Sequence, residues 1–382
     1  MSEEVFRFPR RVAGLRDALA KAEPAPDALL VSHLENARYL TGFTGSNALL
    51  LVTPSGAVFL TDGRYDLQAA KEVPGFTRVV APQGTTLQKA AAEIIRERGM
   101  KNVGFEKAHV TVAQFEALRK AIDGEPAEEN GPKPGAGIEL TGYTGLVENL
   151  RQVKDADEVA ALRRAIALGD ACFEHLRSFL RPGLTEREVA WEIEAFFRTR
   201  GAQKLSFDVI AGSGPNSALI HGRPSDRRIG TDGPEFLLLD FGAELDGYCS
   251  DMTRTVVVGG EPTERQREVY DAVRAALDGA LAMLKPGVSG KDVDTAARET
   301  LKARGLPEFN HGLGHSLGRV VHDGPALSQL SEVTLAPGMV TTVEPGVYIE
   351  NFGGVRIEDV AVITESGSEN LTRSTKELLV FK

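Results

Sequence analysis

The chain has little sulfur chemistry to offer. Its 382 residues include two cysteines, Cys172 and Cys249, and no CxxC pair. Two thiols cannot build a disulfide framework, and a reducing compartment is expected. Long apolar runs are also lacking. ALLLV (48–52) and FLLL (236–239) fall far short of the roughly 20 residues that a bilayer-spanning helix needs, so no membrane partner is expected. The opening MSEEVFRFPRRVAGLRD is too charged to read as a secretory signal, which makes the cytoplasm the expected location. Basic charge is not in excess either. With 44 Lys and Arg against 54 Asp and Glu, the net charge is -10, so no nucleic-acid partner is expected. What remains is 42% hydrophobic and 26% charged, the balance of a globular protein. At about 150 residues per domain, the length suggests two or three domains.

Residues 1–147 alternate apolar runs with helical patterns. DALLVS (27–32) reads as a strand and residues 34–40 as a short helix. Residues 47–52 and 57–60, split by Pro54-Ser55-Gly56, read as a hairpin. A helix is expected over 87–99 and a strand over 102–105. The stretch 123–147 begins DGEPAEENGPKPGAG and reads as a loop before a domain boundary. Beyond it, Asp155 and Glu158 have capping-box spacing, and Val159, Leu162, Ile166, Phe173, Leu176 and Leu180 recur at helical spacing.

An internal repeat follows. RPGLTEREVAWEIEAFFRTRG (181–201) aligns without a gap on KPGVSGKDVDTAARETLKARG (285–305), at an offset of 104. Each copy reads as a Pro-Gly turn, a helix N-capped by Thr or Ser, and a closing glycine. The offset persists beyond the helices. Asp240 ends the run EFLLLD and Glu344 ends VTTVE, each 39 residues after its closing glycine. A second acid follows in each half, Asp251 and Glu358. The pattern predicts two hairpins with one carboxylate on each strand. Buried carboxylates are costly unless paired or metal-bound, and no lysine cluster accompanies these four. Two divalent ions are the simplest neutralisation.

The histidines support that reading. HGLGHSLGRVVHD (311–323) contains His311, His315 and His322, with glycines dense enough to disfavour a regular helix and to let backbone pass close to a site. His221 follows the turn-rich AGSGPNSALIHG and is expected on a strand leaving a loop. Arg356 lies two residues from Glu358 and is expected to orient it. Cys249, two residues before Asp251, reads as a small buried hydrophobe.

In order and spacing, LLLDFGAELDGYCSDMTRT, HGLGHSLGRVVHD, TTVEPGVYI and GGVRIEDV resemble the pita-bread metallopeptidases. That family includes Xaa-Pro aminopeptidase (aminopeptidase P), Xaa-Pro dipeptidase (prolidase) and methionine aminopeptidase. The resemblance implies an α/β (α+β) chain. A creatinase-type α/β domain would occupy 1–147, and a pita-bread catalytic domain with a pseudo-twofold repeat would occupy 150–382. YLTGFTGSNALLLVTPSGAVFLTDGRYDLQA is especially similar to the N-terminal domain of aminopeptidase P. Methionine aminopeptidases generally lack that domain.

Carried over, the resemblance makes Asp240, Asp251, His315, Glu344 and Glu358 the metal ligands, with Asp251 and Glu358 bridging. It puts His221 and His322 beside the metals and His311 in the proline pocket. An oxygen-rich donor set suits manganese best, with cobalt or zinc also acceptable. The implied substrates are short proline-containing peptides, and the implied assembly is a homodimer. Removal of the residue before proline by an aminopeptidase P type enzyme is the leading expectation. A strict Xaa-Pro dipeptidase is the alternative, for which Arg223 or Arg64 would hold the free carboxylate. A non-catalytic peptide-binding module and metal-free, creatinase-like hydrolysis are remoter, because the acid set is complete.

Overall fold

A computed structural model describes residues 4–126 and 131–382. They form two compact units, 1–150 and 151–382. Among the described residues, no helix is long and apolar enough to cross a membrane.

The first unit is built on a six-stranded mixed sheet. Its order is Thr77–Ala81, Ala57–Asp62, Ala48–Val52, Ala28–Val31, Asn102–Glu106 and Glu139–Tyr143. The expected hairpin forms, with Leu50 opposite Phe59. Its strands are apolar at nearly every position because both faces are covered. Leu30, Leu49, Leu51 and Leu60 join one core, while Leu29, Leu50, Val52 and Phe59 join the other. Helix Leu87–Glu97 ends as its glycine suggests, with Gly99 at a φ of 65°.

The stretch 123–147 departs from the expectation of a loop. Its residues 127–130 lie outside the described residues, but Glu139–Tyr143 is a strand, parallel to Asn102–Glu106. ELTGY has little apolar alternation, and the neighbouring edge recruits it through backbone hydrogen bonds.

The second unit contains both repeats. Helix Ala156–Phe179 begins at the expected Asp155–Glu158 capping box. Helices Glu186–Thr199 and Gly290–Lys302 are capped by Thr185 and Ser289. Each packs into its own core, one with Phe197, Leu237 and Leu239, the other with Leu301, Val343 and Val355. In the first half Ile210–Ser213, Glu235–Phe241 and Met252–Val258 are neighbours in a sheet. In the second half Val340–Val343 pairs with Asp359–Ile363. Helix Ala156–Phe179 is also tied to the far end of the chain. The Asp170 carboxylate accepts hydrogen bonds from the backbone N–H of Arg373 and Ser374, at 3.0 and 2.8 Å. Arg163 forks onto Glu369 at 2.7 and 2.6 Å.

Candidate metal centre

All nine residues singled out above for the site line one cavity of about 1000 Å³ in the second unit. Asp240 lies within strand Glu235–Phe241, paired with Thr253. The other three acids leave their strands. Asp251 directly precedes Met252–Val258, Glu344 follows Val340–Val343, and Glu358 sits between Gly353–Arg356 and Asp359–Ile363. This corrects the picture of one carboxylate inside each strand. Residues in a strand alternate between faces, so convergence of several acids is easier where the backbone leaves that pattern. Two backbone bonds fix the junctions: the N–H of Glu344 donates to Leu313 O at 2.7 Å, and that of Glu358 to Thr253 O at 3.0 Å.

His315 belongs to a two-residue strand paired with Ala326–Leu327. A Cβ on the adjacent Gly314 would lie 2.0 Å from Thr342 O, so only glycine permits this close approach. His315 Nδ1 faces the carbonyl of Ser316 at 3.2 Å. A carbonyl only accepts, so Nδ1 carries the proton and Nε2 presents its lone pair. Nε2 stands 3.5 Å from both Asp251 Oδ2 and Glu344 Oε1. Ligand atoms of Asp251, His315 and Glu358 all lie within 4.8 Å of one another.

The charges in this cluster are poorly compensated by the chain itself. Burial, then repulsion from Glu358, Asp240 and Glu344, pushes the Asp251 carboxyl well above the ordinary range. Burial, then Glu344 and Asp240, does the same to Glu358. Burial lifts Glu344 to about 8, although Arg356 pulls against it. Burial lowers His315 to about 4, with His322 adding to the effect, so its ring is neutral at physiological pH. Asp240 Oδ1 and Glu358 Oε1 are buried without a hydrogen-bond partner. Five oxygen and nitrogen donors, two orphaned oxygens and a surplus of negative charge fit hard or borderline divalent cations.

Arg356 makes a different contact from the one expected. Its Nη2 binds Asp240 Oδ2 at 2.5 Å, its Nη1 donates to the Tyr348 hydroxyl at 2.9 Å, and its Nε donates to Thr253 Oγ1 at 3.1 Å. Glu358 is reached only through Thr253, whose hydroxyl donates to Glu358 Oε2 at 2.9 Å. The strand ends at Arg356, so the two-residue alternation that would align it with Glu358 does not continue. His221 also departs from expectation. It lies in an exposed turn beyond the 3-10 helix Gly214–Ala218 rather than on a strand.

His322 stands perpendicular to His315, ring centres 4.3 Å apart. His311 Nδ1 meets Gly312 O at 2.7 Å, which again puts the proton on Nδ1. Its Nε2 therefore accepts from the Tyr348 hydroxyl at 3.0 Å. Burial holds His311 down at about 4, so it stays neutral. Tyr348, Thr253 and Thr342 escaped the sequence reading. Thr342 Oγ1 accepts from His315 N–H at 2.9 Å and donates to Glu344 at 3.3 Å. Only its place two residues before Glu344 signals that role.

Of the two arginines considered for a free carboxylate, Arg223 lines the cavity. Arg64 belongs to the first unit and forks onto Asp62 at 3.0 and 2.9 Å. Both cysteines are buried, as expected for Cys249.

Residues 160–365 match Metallopeptidase family M24, and residues 11–153 match the Creatinase/Prolidase N-terminal domain. The chain is 40% identical over 356 residues to a protein of Bacillus subtilis (strain 168) described as "Uncharacterized peptidase YqhT", covering 93% of this chain and 96% of that one. Among solved structures, the Xaa-Pro dipeptidase from Bacillus anthracis is similar with a TM-score of 0.89 and 38% identity, over 98% of this chain and 99% of that one. The X-Pro aminopeptidase from Thermotoga maritima MSB8 is similar with a TM-score of 0.83 and 33% identity, over 93% and 97%.

Proposed function

Because the chain belongs to metallopeptidase family M24, with a creatinase/prolidase N-terminal domain ahead of the catalytic one, we propose that it removes the N-terminal residue from peptides with proline in second position. The enzyme is a hydrolase and an Xaa-Pro peptidase; the finer reading is the aminopeptidase P type. The observation that carries it is the cavity. At about 1000 Å³ it reaches the top of the roughly 300–1,000 Å³ range that holds drug-sized ligands, more than a dipeptide needs. The likeness to the Bacillus anthracis dipeptidase favours a second reading, a strict Xaa-Pro dipeptidase, with Arg223 as the cation for the free carboxylate.

In this reading Asp240 would hold one divalent ion, His315 and Glu344 would hold a second, and Asp251 and Glu358 would contribute to both. Manganese suits the donors best, and cobalt or zinc are acceptable. Such ions, when bound, lower the pKa of a water and polarise a carbonyl. The remaining work belongs to the chain. Arg356 and Thr253 fix the carboxylates of Asp240 and Glu358. His322 and His221 offer N–H groups to the oxyanion that develops at the scissile carbonyl. His311, kept neutral and oriented by Tyr348, lines the pocket for the proline ring. A bond to proline has no N–H, so shape and apolar contact must recognise the ring. Short proline-containing peptides as substrates, a homodimer and a cytoplasmic setting complete the proposal; a chain with two cysteines, both buried, and no CxxC pair suits a reducing compartment.

The deciding experiment assays metal-reconstituted enzyme on an Xaa-Pro dipeptide beside the matching Xaa-Pro-Xaa tripeptide. Cleavage of the tripeptide after its first residue, at least as fast as the dipeptide, is expected. Refusal of tripeptides, with Arg223→Ala raising KM for the dipeptide, would establish the dipeptidase.

A further inference from the structure

Trp191 is the only tryptophan in the chain, and it is 67% exposed. Its helix, Glu186–Thr199, satisfies its core without it. Val189, Ile193, Phe196 and Phe197 are buried on one face. The other face carries Arg187, Ala190, Trp191 and Glu194, spaced as one helical stripe, and this stripe lines the catalytic cavity. The polar neighbours are already engaged: Arg187 forks onto Asp226 at 3.0 and 3.3 Å, and Glu194 accepts from Arg198 at 3.4 Å. The large apolar ring is left facing the cavity. Phe207 and Leu205 line the same space and are partly buried. An exposed indole in a catalytic cleft is the kind of apolar surface that marks a binding position.

We propose that Trp191 is a specificity-determining residue that packs against an apolar or aromatic side chain carried by the substrate after its proline. The proposal rests on the aminopeptidase reading above. The direction follows from the chemistry of an exopeptidase. With the scissile carbonyl at the buried acids, only one residue lies on the amino side of the cut. Only the carboxyl side can lengthen, so only that side can extend along the cavity to a residue as exposed as Trp191. An indole has no charge to offer a free carboxylate, but it gives a flat apolar face to a side chain. The preferred substrates are therefore peptides of three or more residues, such as Xaa-Pro-Phe.

The test uses metal-loaded enzyme and three substrates: Ala-Pro, Ala-Pro-Gly-Gly and Ala-Pro-Phe-Phe. In Trp191→Ala, KM for Ala-Pro-Phe-Phe should rise by roughly 3–10-fold relative to that for Ala-Pro-Gly-Gly, the range of an aromatic pair, with kcat little changed. Trp191→Phe should restore most of the difference. Because the chain has one tryptophan, its fluorescence reports this residue alone. An Ala-Pro-Phe-Phe analogue with a reduced first peptide bond should shift the emission of the wild-type enzyme to the blue, and the glycine analogue should not. If both tetrapeptides are cleaved but Trp191→Ala treats them alike, or saturating analogue leaves the emission unmoved, the subsite is refuted and the aminopeptidase reading stands. If neither tetrapeptide is cleaved while Ala-Pro is, the aminopeptidase reading falls and takes the subsite with it.

Discussion

Gly183 and Gly287, 104 residues apart, hold the same left-handed backbone, at φ values of 89° and 85°. Gly183 N–H donates to Ile229 O and Gly287 N–H to Leu335 O, at 2.8 and 2.9 Å. Thr185 and Ser289 then cap equivalent helices. The halves part company where they meet the site. The first half places Ala211 on a four-residue strand, in the position that corresponds by the 104 offset to His315. The second half has only the pair Gly314–His315 there, closely approached by Thr342. Each half also pins its loop with a buried acid, but from a different turn of the helix. Glu186, in the first turn, accepts from Ser213, Asn216 and Ser225. Asp294, one turn along its helix, accepts from Leu313 N–H and pairs with Arg298. The scaffold is duplicated faithfully, while the histidine-bearing loops diverge. Local capping needs only a few residue types and survives divergence; aiming an imidazole needs particular long-range contacts.

The sharpest way to test this symmetry is to remove one acid from each half. Asp240→Ala and Glu344→Ala should each lower kcat/KM by more than the roughly 10–100-fold that outer partners of a metal site cost. Both should reduce bound metal in elemental analysis. Loss from one half only would break the equivalence. His322 is proposed to offer an N–H to the oxyanion rather than a lone pair to a metal, so it should behave differently. His322→Ala should retain metal yet lose kcat by roughly 10²–10³-fold, the cost of an oxyanion donor. Metal loss comparable to Glu344→Ala would place it among the ligands instead.

Titration distinguishes the metal-free state. Glu344 has a folded pKa of about 8 against an ordinary 4.5. Above about 6.5, where the histidines that burial keeps neutral in the fold are neutral in the unfolded chain too, and up to about 8, the unfolded chain has released a Glu344 proton that the folded chain keeps, so metal-free protein should lose stability as pH rises through this window. Metal binding should release protons and weaken as pH falls below about 8. Thermal melts of stripped protein across that range check the first sign, and pH-dependent calorimetry checks the second. A stripped protein that gains stability with rising pH would contradict the buried-acid account.

The two pins should cost alike. Glu186→Ala strands the buried Ser213 donors and Asp294→Ala strands the buried Leu313 N–H and the Arg298 guanidinium, and urea denaturation should show a loss of about 2–4 kcal/mol for either. A large inequality would show that one half holds its loop by other means. The smallest effect is expected at the turns. A Cβ on Gly183 or Gly287 meets nothing within 4 Å, so alanine costs only the left-handed backbone, about 1 kcal/mol in each half.

The parts of this architecture that were legible in the sequence are those that local chemistry dictates. The Pro54-Ser55-Gly56 turn between two apolar runs marks the hairpin, and the capping residues mark both repeat helices. The four acids and the histidines could be singled out because a repeat offset and a rare residue type are visible without coordinates. Strand Glu139–Tyr143 was not legible, because the edge it joins is more than 30 residues away in sequence. Nor was the true partner of Arg356. Asp240 lies 116 residues from it, and only the packing of the two half-sites brings them together. Tyr348 has no sequence signal of its own, since its role comes from lying between Arg356 and His311.

The clamp between helix Ala156–Phe179 and the 369–374 segment has a consequence in time. Asp170 and Arg163 wait for partners 203 to 206 residues further along the chain. At synthesis rates of about 5–20 residues per second, that helix leaves the ribosome roughly 10–40 s before its clamp exists. The first unit has all its strand partners long before then. During that interval Leu162, Ile166, Phe173 and Leu176, all buried in the finished fold, have an incomplete core to enter. The nascent catalytic half therefore keeps apolar surface open after the first unit has closed its own, and its assembly, governed by contacts so distant in sequence, should be the slow step in making the active protein.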